Sequence, residues 1–161
     1  MTGWPESVER VARFLRDATV EARVEEFADG TPTAQDAARA VGCSLGQIVK
    51  SLVFLCDGRS ILVLVPGDRR ADSVKVGAAA GCARAKVAGP DDVRRATGFE
   101  PGAVAPFALP AIAEVFVERG LLVHEVVWVG AGSNRHMAAL SPADLVRLAR
   151  ARVIDAVGEN T

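Results

Sequence analysis

The strongest single candidate for a catalytic or binding side chain is a lysine inside an apolar segment. The chain has only three lysines, and Lys50 lies in the run Ile-Val-Lys-Ser-Leu-Val-Phe-Leu that begins at Ile48. Strand side chains alternate between faces, so Lys50 is expected on the same face as Leu52 and Phe54. Its ammonium could line a cavity and bind a carbonyl, carboxylate or phosphate as a compact donor. The alternative is a strand lysine whose stem packs on apolar neighbours while its charge reaches water.

A second candidate is the segment 97–107, which reads Thr-Gly-Phe-Glu-Pro-Gly-Ala-Val-Ala-Pro-Phe. Glycine lets a backbone approach a ligand closely, and proline fixes a loop before anything binds. Backbone N–H groups of such a loop could donate hydrogen bonds to a carbonyl or an oxyanion. The alternative is an ordinary connection with stiff turns.

A third candidate is a polar segment after three small residues. Gly130-Ala131-Gly132 is predicted to form a turn, and Ser-Asn-Arg-His follows it at 133–136. This position suits contacts to hydroxyls or phosphate of a ligand, and it suits a solvent-exposed turn equally well. His136 could be a base, a hydrogen-bonding residue or a surface histidine. His124 lies within an apolar run and is expected to be structural.

The cysteines and histidines do not form a recognisable metal site. The three cysteines are an odd number at wide spacings, without Cys-x-x-Cys, which predicts neither a zinc site nor a disulfide framework. Cys56 ends an apolar segment and is expected to be a buried thiol. The sequence also lacks a Walker motif and a Gly-x-Gly-x-x-Gly motif. We therefore expect no metal and no cofactor.

The elements that must position these residues follow from hydrophobic periodicity and turn signals. Helices are expected at residues 5–17, 33–41, 71–80, 90–98 and 141–151, with one further helical turn at 44–47. Strands are expected at residues 20–24, 48–56, 60–65, 84–88, 112–117, 121–129 and 135–140. Asp57-Gly58 predicts a tight hairpin turn, and the prolines of 98–110 predict an irregular loop. This order predicts an α+β fold with a mixed or antiparallel sheet in one domain, 1–161.

Composition and charge exclude several classes of protein. Lysine and arginine total 19, aspartate and glutamate total 20, and the net charge is −1. That balance argues against a protein dominated by non-specific nucleic-acid binding, so no DNA partner is expected. No apolar run approaches the roughly 18 residues of a membrane span, and the start lacks the features of a signal peptide. We expect a cytoplasmic protein without a membrane partner.

Four segments in this order resemble the YbaK/EbsC family, the stand-alone relatives of the editing domain of bacterial prolyl-tRNA synthetase. They are residues 48–54, Leu-Val-Pro-Gly-Asp at 64–68, the loop 97–107, and the glycine segment 130–132 that comes before Ser-Pro-Ala-Asp-Leu at 141–145. The resemblance implies an α+β fold around a mixed, barrel-like β-sheet flanked by short helices. It also implies hydrolysis of the ester that links a wrong amino acid to tRNA. Water would be the nucleophile, assisted by a ribose hydroxyl of the substrate, without a metal.

The resemblance also implies which residues form the site. The strand lysine and the Gly-x-x-x-Pro loop of the family match Lys50 and Gly102, the expected catalytic residues. The expected substrate-binding residues are Ser51, Phe54, Ala103, Val104, Ala105, Pro106, Gly132, Ser133 and His136. Many relatives carry Thr or Asn at the position of Ser51 and a Gly-Lys/Arg-Arg-Gly-like sequence near 133–136. These departures concern the amino acid that is removed more than the reaction.

The implied partner is mischarged tRNA, bound through its terminal aminoacyl-adenosine, with prolyl-tRNA synthetase as a second expected partner. Two alternatives to the deacylase stay open. One is a non-catalytic module that recognises tRNA ends or a small metabolite. The other is an accessory protein that acts through a synthetase.

Overall fold

The computed structural model describes residues 3–158, so the first two and last three residues of the expected domain lie outside it. Five α-helices occur in the described residues: α1 Glu6–Asp17, α2 Ala34–Val41, α3 Ser73–Ala80, α4 Pro90–Thr97 and α5 Pro142–Ala149. The strands there are β1 Arg23–Glu26, β2 Val49–Cys56, β3 Arg59–Pro66, β4 Lys86–Val87, β5 Glu114–Glu118, β6 Val127–Ser133, β7 His136–Leu140 and β8 Ala151–Ile154. None of these helices has the length and apolar character of a membrane span.

The strands form two sheets that share one core, which confirms the predicted α+β class. A three-stranded antiparallel sheet has the order β1-β7-β6. A five-stranded mixed sheet has the order β4-β2-β3-β5-β8, with β3-β5 and β5-β8 parallel. A bridge between Ile48 and Trp128 joins the two sheets. Buried residues of β2, β3, β6 and β7 therefore pack in one cluster with α1, α4 and α5.

The hairpin that carries Lys50 forms as predicted. β2 pairs with β3 from Val49↔Pro66 to Cys56↔Arg59. Asp57 and Gly58 lie between them with φ of 50° and 81°, the positive values that a type I′ turn requires. β3 is buried on both faces, because the main core covers one face and α3 covers the other. The hairpin is therefore a fixed support for the side chains at the start of β2.

The helix ends also follow from local chemistry. The hydroxyl of Thr33 accepts a hydrogen bond from the Asp36 N–H at the start of α2, and Gly42 ends that helix in the left-handed region. Ser141 caps α5 in the same way through the Asp144 N–H. These are the residues that the sequence predicted as helix boundaries.

Two predictions in the second half of the chain are wrong. Residues 121–129 do not form a continuous strand, because Arg119–Val123 is a 3₁₀ helix and β6 begins at Val127. Glu118 caps this 3₁₀ helix, because its buried carboxylate accepts hydrogen bonds from the Gly120 and Ala156 N–H groups at 2.7 and 2.8 Å. Gly130-Ala131-Gly132 is not a turn but part of β6, with a bulge between Gly130 and Ser133. β8 was not predicted, since two of its four side chains are exposed and no alternation is visible.

The prediction for Cys56 is also wrong. Cys56 is buried, but it forms a disulfide bond with Cys82, and Cys43 is free. Gly81 ends α3 in the left-handed region, which turns Cys82 toward the end of β2. The odd number of cysteines concealed this pair, because spacing alone does not show which side chains meet.

Candidate active site

A cavity of about 260 Å³ lies where the start of β2, the start of α2, the loop after α4, and the β6–β7 pair meet. It brings together residues from all three segments singled out in the sequence: Lys50, Ser51, Gly102, Val104, Ser133 and His136. Its volume is just below the usual range of ligand pockets, roughly 300–1,000 Å³. The cavity therefore suits a small group attached to a larger ligand better than a large ligand enclosed on all sides.

The other predicted residues do not line this cavity: Phe54, Ala103, Ala105, Pro106 and Gly132. Phe54 is 1% exposed and packs beneath β2 on the α3 side, roughly 13 Å along the strand from Lys50 at 3.3 Å per residue. Ala103 is used in the backbone, since its N–H donates to Glu100 and its carbonyl accepts from Gly132. Ala105 and Pro106 are buried. These residues support the wall rather than face the space.

The Lys50 ammonium is partly buried and is held by a backbone carbonyl. Its Nζ donates a hydrogen bond to the Arg69 carbonyl oxygen at 2.6 Å. Burial lowers the pKa of Lys50, the nearby Arg70 charge lowers it further, and Asp68 opposes the shift. An ammonium has three N–H donors, and the Arg69 contact uses one of them.

His136 is a buried residue of the cavity wall, not a surface histidine. It is 2% exposed, its Nδ1 lies 2.6 Å from the Ser133 hydroxyl, and its ring meets the Trp4 ring edge-on. Burial lowers the pKa of His136, Glu26 at 3.7 Å opposes the shift, and Arg135 adds to it. Burial therefore favours the neutral imidazole, which offers one donor and one acceptor nitrogen.

Two buried polar atoms on the cavity residues have no hydrogen-bond partner within residues 3–158: the Ser51 hydroxyl and His136 Nε2. Buried polar side-chain atoms are paired in the large majority of cases, because an unpaired one costs about 1–3 kcal/mol. Both atoms belong to residues that line the same space. The wall of the cavity therefore contains two polar groups whose hydrogen-bonding capacity is unused within the described residues.

Glycine is required at two of the positions around the cavity, for different reasons. Gly102 has φ +84°, and a Cβ there would meet no atom within 4 Å, so its requirement is conformational. At Gly130 of β6, a Cβ would be 2.6 Å from the Val104 carbonyl oxygen. Gly130 therefore lets the loop that carries Gly102 approach β6 closely.

The sequence did not indicate that the start of α2 lines the cavity. Thr31, Pro32 and Thr33 lie on its wall, together with Met137 of β7. The Thr-Pro-Thr sequence indicated only a helix start, because its position opposite β2 depends on tertiary packing.

One further sequence pattern lies outside the cavity. Gly-Cys-Ser-Leu-Gly at 42–46 matches Gly-x-Ser-x-Gly, which in hydrolases forms a sharp turn from a strand to a helix. Here Ser44 connects α2 to the 3₁₀ turn Leu45–Gln47 and shares a capping box with Gln47. The pattern is therefore a helix-to-helix connection and not a nucleophile elbow.

Comparison with known proteins places the chain in a family. It matches the model of the aminoacyl-tRNA editing domain over residues 28–148. It is 33% identical over 131 residues to the uncharacterized protein YwhH of Bacillus subtilis, covering 81% of this chain and 83% of YwhH. It is 32% identical over 123 residues to the proline–tRNA ligase of Bacillus licheniformis, covering 74% of this chain. The matched part is 21% of that ligase.

Solved structures agree with this match. The structure of a proposed trans-editing enzyme for prolyl tRNA synthetase has a TM-score of 0.89 at 34% identity, covering 98% of this chain and 100% of that one. The hypothetical protein APE2540 has a TM-score of 0.86 at 31% identity, covering 95% and 100%. The chain belongs to the aminoacyl-tRNA editing domain family, and the resemblance seen in its sequence is confirmed.

Proposed function

We propose that this protein is a trans-editing deacylase that hydrolyses the ester bond of mischarged tRNA. The observation that carries the proposal is the cavity whose wall brings together Lys50, Ser51, Gly102 and His136. The Lys50 ammonium is partly buried, and Ser51 and His136 each carry a buried polar atom without a hydrogen-bond partner within the described residues. Membership of the editing-domain family supports this reaction class, and the likeness to a proposed trans-editing enzyme supports action on tRNA charged elsewhere. The proposed location is the cytoplasm.

The proposed chemistry needs little beyond positioning and charge. Water adds to the ester carbonyl carbon, the bond from that carbon to the ribose oxygen breaks, and the ribose oxygen gains a proton. Negative charge develops on the carbonyl oxygen, and a partly desolvated ammonium such as that of Lys50 stabilises it more than an ammonium in water would. The neighbouring ribose hydroxyl of the substrate would assist the attacking water. Neither a protein nucleophile nor a metal is part of this proposal.

The cavity size also bears on the amino acid that is removed. A synthetase separates substrates that differ by one methylene by only about 10–200-fold, so a second site is needed to remove the errors. A space of about 260 Å³ can hold one amino acid at the end of a larger ligand. Ser51 and His136 are proposed to contact that amino acid, and therefore to contribute to the choice between amino acids.

Replacing Lys50 should remove most of the activity without unfolding the protein. We expect Lys50→Ala to lower the single-turnover rate on mischarged tRNA by about 10²–10³-fold, since a donor to the developing oxyanion is lost. Lys50→Arg should restore little, because the wider planar fork cannot occupy the position of a point donor. The matched control is Lys86→Ala, on the exposed strand β4, which should keep the wild-type rate. A near-wild-type rate for Lys50→Ala at an unchanged melting temperature would contradict the assignment.

Replacing Gly102 should affect turnover more than folding. Alanine at φ +84° costs about 1–2 kcal/mol of backbone strain. We expect Gly102→Ala to lower the single-turnover rate by about 10-fold or more, because its new methyl group enters the space near the cavity. Gly98→Ala is the matched control, since Gly98 has φ +76°, open space around its Cβ position, and no place in this cavity. Equal losses of rate in both variants would show that strain, and not the cavity, causes the effect.

The buried His136 should make stability depend on pH in a defined direction. Burial lowers the pKa of His136 below its ordinary value, about 6.5. The unfolded chain then binds a proton that the folded chain does not, so the unfolding free energy should fall as pH drops below about 6.5. We expect the melting temperature of His136→Gln to fall less than that of the wild type between about pH 7.5 and pH 5.5. His124→Gln, outside the cavity, is the control, and parallel curves for His136→Gln and wild type would refute the prediction.

A further inference from the structure

Residues 155–158, which follow β8, run beside the loop 67–72 that follows β3; we call them the 155–158 strap. Ala71 forms a bridge with Val157, the Asp72 N–H donates to the Ala156 carbonyl at 2.8 Å, and the Gly158 N–H donates to the Arg70 carbonyl at 3.2 Å. These two backbone hydrogen bonds, which form the bridge, fix the loop against the strap.

The strap is itself fixed by side chains of the core. The buried Glu118 carboxylate accepts the Ala156 N–H at 2.8 Å. Lys75 of α3 donates to the Val157 carbonyl at 2.9 Å and lies 3.3 Å from the Asp155 carboxylate. Ala156 and Val157 are buried in the cluster beneath α3. The core therefore holds the strap in place, and the strap can in turn fix a side chain that hydrogen-bonds to it.

Arg69 connects the strap to Lys50. Its guanidinium Nη2 donates to the Gly158 carbonyl at 2.8 Å, and its own carbonyl accepts the hydrogen bond from Lys50 Nζ at 2.6 Å. The start of the loop is fixed as well, because the Gly67 N–H donates to the Ile48 carbonyl next to β2 at 2.7 Å. A lysine side chain has four rotatable carbon bonds, so this contact decides where its ammonium lies.

We propose that Arg69 is a positioning residue for Lys50: its guanidinium is bound to the strap at Gly158, and its carbonyl oxygen thereby holds the Lys50 ammonium at the cavity. The effect of Arg69 on catalysis rests on the function proposed for Lys50, but the positioning of the Lys50 ammonium by Arg69 does not. Arg69 itself is not among the residues that line the cavity.

The charged groups around Lys50 let the proposal predict the direction in which the pKa of Lys50 shifts when Arg69 is replaced. Asp68 and Arg70 face Lys50 from the loop, Arg69 directs its guanidinium to the strap, and His136 lies on another wall of the cavity. A hydrogen bond from an ammonium to a carbonyl favours its charged form, so loss of the Arg69 contact should lower the pKa of Lys50 further. Loss of the Arg69 positive charge alone would raise that pKa. The two causes predict opposite shifts.

The first test measures the titration midpoint of the Lys50 side chain and does not depend on enzymatic activity. The chain has three lysines, so the side-chain NMR signals of isotope-labelled lysine can be followed through a pH titration, with Lys50→Ala assigning the signal. We expect Arg69→Ala to move the Lys50 midpoint to lower pH by about half a unit or more. Arg69→Lys, which keeps a donor for Gly158, should stay near the wild type. If Arg69→Ala does not fold, Arg69→Met retains the apolar stem and replaces it. An unchanged or higher midpoint would overturn the proposal.

The second test is the single-turnover rate on mischarged tRNA as a function of pH. Arg69→Ala should be slower by about 10–100-fold, as expected for a displaced catalytic group. As pH rises, its rate should begin to fall at a lower pH than the rate of the wild type, because Lys50 loses its proton earlier. Arg16→Ala, which removes an exposed arginine of α1, should match the wild type.

The two tests separate the positioning role from the proposed function. A Lys50 midpoint that falls in Arg69→Ala, in a protein that hydrolyses no mischarged tRNA, would support positioning and contradict the deacylase. Wild-type rates and midpoint in Arg69→Ala, with Lys50→Ala inactive, would refute positioning and leave the deacylase in place.

Discussion

The contact between the Lys50 ammonium and the Arg69 carbonyl is the interaction on which the candidate site depends. A charged group in a partly apolar wall needs an acceptor, because burial without one costs several kcal/mol or neutralises the charge. In this protein the acceptor comes from a loop that is fixed by residues 155–158, far along the chain. The position of one side chain on β2 thus depends on β3, on α3 and on the segment after β8.

The opposite wall of the cavity depends on close approach of the backbone. Gly130 in β6 allows the Val104 carbonyl to come closer than any side chain would permit, and Gly132 does the same for Ser7 at the start of α1. The loop after α4 therefore packs directly on β6, and its Gly102 lines the same cavity as Lys50. The absence of a side chain at these two glycines lets neighbouring backbone segments pack closely around the cavity.

The local features of this fold could be predicted from the sequence because they depend on neighbouring residues. The Asp57-Gly58 turn, the Thr33 cap, the Gly42 stop and the placement of Lys50 on a strand are of this kind. Features that depend on distant residues could not be predicted. The buried Glu118 caps a 3₁₀ helix where a strand was expected and also binds the distant Ala156. The Cys56–Cys82 pair depends on how α3 lies against β2.

The same division holds for the candidate site. Lys50, Gly102 and His136 were singled out by residue type and by resemblance, and the structure places all three on one cavity. Thr31 and Thr33 also line the cavity but were not singled out, since nothing in their local sequence shows that α2 begins beside it. The roles of Arg69 and the 155–158 strap could not be found from sequence either, because they act through backbone carbonyls that any residue carries.

The most direct measurement is the rate at which the purified 161-residue chain, without any synthetase, hydrolyses a panel of tRNAs charged with wrong or correct amino acids. We predict that at least one tRNA carrying a small wrong amino acid is deacylated well above its uncatalysed rate, while correctly charged tRNAs are largely spared. Binding across the panel without turnover would instead indicate a recognition module. Turnover that requires added prolyl-tRNA synthetase would indicate an accessory protein, and either result would contradict a deacylase that acts through its own cavity.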